Sequence, residues 1–351
     1  MSKKAIIVIV IAAAFLAAAI GGIAFVAFRS KGTTGPRVDH VSLVLNWTAN
    51  GSHAAYYAAK DYGYYLEDGL DVAIHEGSGS ATSVKVVAAG REEFALASAS
   101  TVAIGRSKGI PVVSLAATQQ KNPACLISFS KTGINGFQDL AGKKMGVRYE
   151  SDTYPLYQAI LRQTGLDRSK IQEISIGLGV APLLSGDIDA LDGHIDNEAV
   201  QVRERGYSIN TLSYYDLGMQ MYGICIVTNN NVLKDKKDLV RRFLNATMRG
   251  WKLAISDPEK TALSVTKANP SLDPKIVLAQ LRATLDLAHS ETAEKSGLGW
   301  QTLEGWQKTI QTLREVGQID TSPNAAEIFT NDFITSPATL TSAVTSQNKR
   351  E

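Results

Sequence analysis

Residues 43–72 read LVLNWTANGSHAAYYAAKDYGYYLEDGLDV, and this stretch decides the fold. An apolar run, Val41 to Leu45, ends in Asn46-Trp47 and gives way to a polar turn holding Asn50, Gly51 and Ser52. Small apolar residues follow at helical spacing: Ala54, Ala55, Ala58 and Ala59. A Gly-Tyr-Tyr turn then leads into a second extended run from Asp71. Strand, loop, helix, strand is the opening of a parallel α/β sheet. In such a sheet ligands bind outside the carboxyl ends of the strands, which is where Asn46 and Trp47 fall.

The alternation continues downstream. His75 to Thr82 is a Gly/Ser turn before an apolar-periodic helix, with Ser80 or Thr82 as the expected N-cap and Ser78 among the exposed turn donors. Strands are expected at 94–98, 111–117, 125–130, 145–149, 171–176, 189–193, 209–212 and 222–228, with helices between them. From Lys234 the pattern is nearly all helix, over 238–255, 258–268, 274–287 and 302–316. Two α/β sets followed by a helical third predict two lobes, with the C-terminal part returning to the first.

Bulk features narrow the function. The 351 residues carry a net charge of +2, but residues 1–37 hold Lys3, Lys4, Arg29, Lys31 and Arg37 and no acid, so the remaining body is mildly acidic. That is not the surface of a nucleic-acid binder. Residues 5–28 are uncharged, longer than the 7–15 residue core of a signal peptide and long enough for a bilayer span. The expectation is a membrane anchor or signal over 1–31, a linker over 32–38, and a globular part outside the cell membrane. Ala17-Ala18-Ala19 leaves cleavage open. The only cysteines, Cys125 and Cys225, both lie in strand-like runs, which excludes a disulfide framework or a Cys-rich metal site. They read as buried thiols, or as one disulfide if their strands are neighbours. Asp187, Asp189 and Asp192 lack the spacing of a calcium loop and read as solvated carboxylates.

Several phrases resemble one family. These are the Asn46-Trp47 opening with His53 downstream, GYYLEDGLDV (63–72), DLAGKKMGV (139–147), LLSGDIDAL (183–191) followed by Asp196-Asn197-Glu198, DLGMQMYGICIVTNN (216–230), FLNATMRGW (243–251) and DPEKTAL (257–263). Their order and spacing resemble the ABC-importer solute-binding proteins for thiamine-pyrimidine precursors and their sulfonate- and nitrate-binding cousins. The resemblance covers about Val41 to Phe333. It implies an α/β periplasmic-binding-protein fold, type II-like, with two crossover hinge strands, lobe 1 over 39–127 and 223–335, lobe 2 over 128–222, and a frayed tail over 336–351. On that template Cys125 and Cys225 fall on or near the crossovers. It further implies a monomer that takes a small-molecule ligand, needs no cofactor, and works with an ABC permease and ATPase.

The candidate ligand-binding residues follow. Trp47 offers a face for a planar heterocycle, and Asn46 and His53 offer hydrogen bonds. Ser98, Ser100 and Thr101 follow the strand FALAS. Tyr149, Ser151 and Tyr154 follow MGVRY, Asn197 and Glu198 follow DALDG, and Tyr222 is a rim aromatic. Arg148 is an anion donor only if its register turns it inward. Each has an ordinary alternative: a core Trp, helix caps, surface groups. A heteroaromatic vitamin precursor leads over riboflavin, taurine or another sulfonate, and nitrate. The synthase branch of the family carries a Schiff-base Lys and a His after the strand aligned with FALASAST. This chain has Ala97 and Thr101 there, which argues against an enzyme.

Overall fold

The computed structural model describes residues 38–334. The expected anchor (1–31), linker (32–38, save Val38) and tail (336–351) lie outside the described residues. Among the described residues no helix is long and apolar enough to cross a membrane.

Two five-stranded sheets organise the chain. Strands β1 (Asp39–Val44), β2 (Leu70–His75), β3 (Phe94–Ser98) and β4 (Val112–Ala117) come first, then β5 (Ala124–Phe129), β6 (Lys144–Val147), β7 (Gln172–Ser175), β8 (Ala190–His194) and β9 (Ile209–Ser213), and last β10 (Ile224–Asn229). The first sheet runs β2-β1-β3-β10-β4 and the second β7-β6-β8-β5-β9. In each, four strands run the same way while the late entrant β10 or the early one β5 lies between two of them and pairs antiparallel with both. The two sheets are the centres of two lobes, lobe 1 and lobe 2.

The chain crosses between sheets twice, through 118–123 and 214–223. These segments hydrogen-bond to each other, with Gly223 N donating to Gln119 O (2.9 Å) and Asn122 N to Met221 O (3.0 Å). The first crossing precedes the expected boundary at 127, because all of β5 pairs with β8 and β9. Cys125 (β5) and Cys225 (β10) therefore lie in different sheets, and both are buried free thiols. Burial pushes the Cys225 thiol up to about 12 and the Cys125 thiol well above its usual value.

Packing explains why these sequences form these elements. The β3 and β4 runs, FALAS and VVSLAA, are almost wholly apolar because both sheet faces are covered there. On one face the helix Lys237–Ser256 lays Phe243 on Phe94, ring centroids 3.8 Å apart, and sets Trp251 edge-on against Tyr56. Gly250 touches the helix Ala54–Asp61 so closely that an added Cβ would overlap the Ala55 carbonyl. One expected cap differs. Neither Ser80 nor Thr82 caps the helix Ser80–Ala88; Gly79 does, at φ 136°, a conformation that favours glycine. Its hydrogen is aimed at the Glu150 carbonyl of lobe 2.

Candidate functional site

The loop after β1 is built by local hydrogen bonds. Leu45 N donates to His75 O (2.8 Å), Gly77 N to Trp47 O (3.1 Å), and Ala49 N to the Glu76 carboxylate (2.9 Å). Asn50 caps the short turn Gly51–His53 by accepting from Ser52 N. His53 then folds back. Its Nδ1 faces Asn50 N–H (3.3 Å), which can only donate, so the proton sits on Nε2 and is donated to Asn46 Oδ1 (3.1 Å). Burial, with help from the charge of His194, lowers the His53 pKa to about 3. A neutral His53 thus fixes the Asn46 carboxamide, and the loop presents a half-buried Trp47 to the cleft.

Lobe 2 answers with a cation. Arg148 leaves the carboxyl end of β6 and is buried. It donates to three backbone carbonyls: Nε to Gly177 (3.0 Å), Nη1 to Asp192 (3.0 Å) and Nη2 to Gly179 (2.6 Å). The Glu198 carboxylate lies 3.6 Å from Nη1, and the guanidinium carbon sits 5.9 Å from the Trp47 ring centroid. That places a cation over the indole within ordinary cation–π range. Glu198 also accepts the His194 backbone N–H (3.0 Å), and Gly193 must be small because a Cβ there would press on Glu198.

Beside this pair lies a charge cluster the sequence reading missed. His194 Nε2 is 3.5 Å from Asp152, and its Nδ1 is 4.0 Å from Asp196. Burial opposes a charge on His194, but Asp152, Asp196 and Glu198 together raise its pKa to about 9. Burial likewise works against Asp152, but His194 and Ser98 hold its carboxyl below the usual range. Asp192, expected to be solvated, is buried. It accepts from Thr153 (2.6 Å) and Tyr214 (2.8 Å), and burial raises its pKa to about 7. Successive side chains of a strand point to opposite faces, and β8 is buried on both, so Asp192 faces protein rather than water.

A cavity of about 410 Å³ lies between the lobes, lined by Trp47, Asn50 and Gln280 on one side and Gly179, Asn197 and Glu198 on the other. That is a small-molecule volume. A larger groove of about 740 Å³, along Leu303–Glu315 and 322–326, holds none of these polar groups. Of the sequence-predicted residues, Trp47, Asn197 and Glu198 line the cavity and Asn46 and His53 stand behind it. Ser98 caps the helix Ala99–Ser107 and contacts Ser100 and Thr101 through its hydroxyl. Ser78 and Tyr149 are exposed, and Ser151 bonds Arg148 O. Two residues are turned elsewhere. The Tyr154 hydroxyl meets Arg168 (2.5 Å), and Tyr222 packs on Trp306 with its hydroxyl accepting Thr302 N–H (3.0 Å). Ala97, where the synthase branch has its Lys, is a buried β3 residue paired with Cys225.

Two sheets joined by two hydrogen-bonded crossovers around a cleft define a periplasmic-binding-protein-like α/β fold. Consistent with this, the structure superposes on the alkanesulfonate-binding protein SsuA from Xanthomonas axonopodis with a TM-score of 0.64, at 12% identity, over 84% of this chain and 99% of that one. The chain belongs to the NMT1/THI5-like family, whose model matches residues 50–261. It is similar to the riboflavin-binding protein RibY of Chloroflexus aurantiacus, at 24% identity over 85% of this chain and 87% of the relative. It is also similar to the formylaminopyrimidine-binding protein of Halalkalibacterium halodurans, at 24% identity over 79% and 85%. A third relative is the 4-amino-5-hydroxymethyl-2-methylpyrimidine phosphate synthase of Legionella pneumophila, at 25% identity over 84% and 92%.

Proposed function

We propose that this protein is the extracytoplasmic solute-binding component of an ABC importer, tethered through its N-terminal segment. It captures a small heteroaromatic vitamin precursor of the thiamine-pyrimidine type between its lobes and delivers it to a permease. The observation that carries this reading is a cavity of about 410 Å³ lined by both Trp47 and Glu198. A planar amino-heterocycle stacks on the indole while its amine meets the carboxylate, a charged hydrogen bond worth about 1.5–3 kcal/mol. The formylaminopyrimidine-binding relative supports the ligand class. The anion reading is weaker, because Arg148 commits three of its five N–H groups to backbone carbonyls and sits beside Glu198. Ala97 and Thr101 favour a binder over a synthase: a Schiff base needs an amine, and Ala97 has none. Riboflavin is the second reading, favoured by the relative named for it.

Calorimetric titration with formylaminopyrimidine, hydroxymethylpyrimidine, riboflavin, taurine and nitrate tests this. Binding of a pyrimidine with no response to taurine or nitrate is expected. Binding of only the anions would move the protein to the sulfonate and nitrate branch and remove Glu198 from the ligand contacts.

A further inference from the structure

One face of the helix Pro274–Ala288, in lobe 1, meets lobe 2 three times. At the rim Lys275 pairs with Glu204 (3.0 Å). One turn further in, Gln280 Nε2 donates to Asn197 Oδ1 (2.7 Å). Nearer the hinge Thr284 donates to Asp196 Oδ2 (2.9 Å), which also accepts from Gln119 of the first crossover (2.8 Å). All three partners lie in the short segment 196–204. The middle contact does more than bridge. The other end of the Gln280 amide, Oε1, accepts the Gly51 N–H (3.0 Å), in the turn that closes the Trp47 loop. Gly51 has no room for a side chain, since a Cβ there would overlap the Val277 carbonyl of the same helix. Gln280 is buried and lines the cavity with Trp47, while its partner Asn197 accepts a second bond from Gln201 (2.9 Å).

We infer that Gln280 is a positioning residue for ligand binding, the latch that ties closure of the lobes to the placement of Trp47. A single amide holds the Trp47 loop at one end and lobe 2 at the other. When Asn197 leaves, the amide loses the partner that fixes its orientation, and the Gly51 turn loses its anchor. Opening and loosening of the indole are therefore one event. The contact made on closure retards release more than it affects capture, because encounter precedes closure. The kinetic part of this inference rests on the ligand-binding reading above; the closure part does not.

The test is a double-mutant cycle of Gln280→Met and Asn197→Ala in the full chain, with thermal melting to confirm that each variant folds. Stopped-flow tryptophan fluorescence with formylaminopyrimidine or riboflavin, whichever binds wild type, reads the rates. Each single variant is expected to release ligand about tenfold faster with the association rate within about twofold, and the double variant to match the singles. Additive effects, or release at the wild-type rate, would overturn the latch. Small-angle scattering of the unliganded proteins is the second arm, expected to show a larger radius of gyration for Gln280→Met than for wild type. If neither probe binds wild type, the ligand reading fails and scattering alone decides: equal radii of gyration overturn the latch.

Discussion

At the residue scale, the chemistry of the cleft turns on Arg148 and Glu198, which face each other with Trp47 alongside. Trp47 is half-buried and, among the described residues, no hydrogen bond is made by its side chain, so its removal should cost binding rather than folding. Trp47→Ala is expected to weaken binding of formylaminopyrimidine by about 2 kcal/mol or more, as for a buried aromatic anchor, with the melting midpoint within a few degrees of wild type. Wild-type affinity in a calorimetric titration would take Trp47 out of the site. Glu198→Gln keeps an acceptor for the His194 N–H but loses the charge. It should weaken an aminopyrimidine about tenfold or more while changing riboflavin little, because only the former presents an amino N–H donor beside a ring nitrogen that a carboxylate helps to protonate. Equal losses for both would mean that the carboxylate serves the fold. Part of this site was legible in the sequence. Asn46-Trp47 and Asn197-Glu198 follow strands, and strand ends are where α/β sheets keep their ligands. His194 and Gln280 were not legible, because what matters is which partner each meets across the cleft. Tyr222 misled for the same reason: an aromatic beside a crossover can face the cleft or the helix Leu303–Glu315, and here it faces the helix.

At the scale of elements, the strands and the long C-terminal helices were readable from period and from caps. Pro258 and Pro274 each open a helix behind an aspartate that accepts from the first turn, a local signal that needs no tertiary knowledge. The helix start at Ser80 was less readable, because its cap is a glycine placed by lobe 2's approach rather than a serine. Asn46-Trp47-Thr48, Asn50-Gly51-Ser52 and Asn245-Ala246-Thr247 each match the Asn-X-Ser/Thr glycosylation sequon, a pattern that carries no information on burial. Asn46 and Asn50 are buried, and Thr247 of the Asn245 sequon is buried with its hydroxyl donating to Phe243 O (2.7 Å). The closest contact between helices gives a clean element-scale prediction. Gly250→Ala drives a methyl into the Ala55 carbonyl region, and the helices Lys237–Ser256 and Ala54–Asp61 must move apart. Overpacking of this kind costs about 1–3 kcal/mol. Urea unfolding should show that loss as a lowered midpoint. An unaltered midpoint would mean the interface gives way freely.

At the scale of the whole molecule, stability should depend on pH through the buried imidazoles, in opposite senses. His194 is held charged among Asp152, Asp196 and Glu198, with a pKa of about 9 against an ordinary 6.5. Below pH 6.5 both folded and unfolded chains carry this proton, and the contribution is fully present. As pH rises through 6.5 the unfolded chain gives the proton up while the folded one keeps it. The contribution therefore shrinks and is gone once pH passes 9. The difference amounts to about 3 kcal/mol between those limits. His53 behaves oppositely. It is buried neutral with a pKa of about 3, so its contribution is present above 6.5 and is lost as pH falls toward 3. Asp192, at about 7, adds a decline with rising pH that is nearly complete by pH 7.5, and the buried Cys125 and Cys225 thiols add another once unfolded thiols ionise near pH 8.5, so His194 dominates between about pH 7.5 and about pH 8.5. Urea midpoints of wild type should fall from about pH 7.5 to about pH 8.5, and His194→Gln, which has no proton to lose, should remove most of that slope. His53→Gln should instead flatten the acid side. An identical alkaline slope in wild type and His194→Gln would show that the cluster is not what couples this fold to protons.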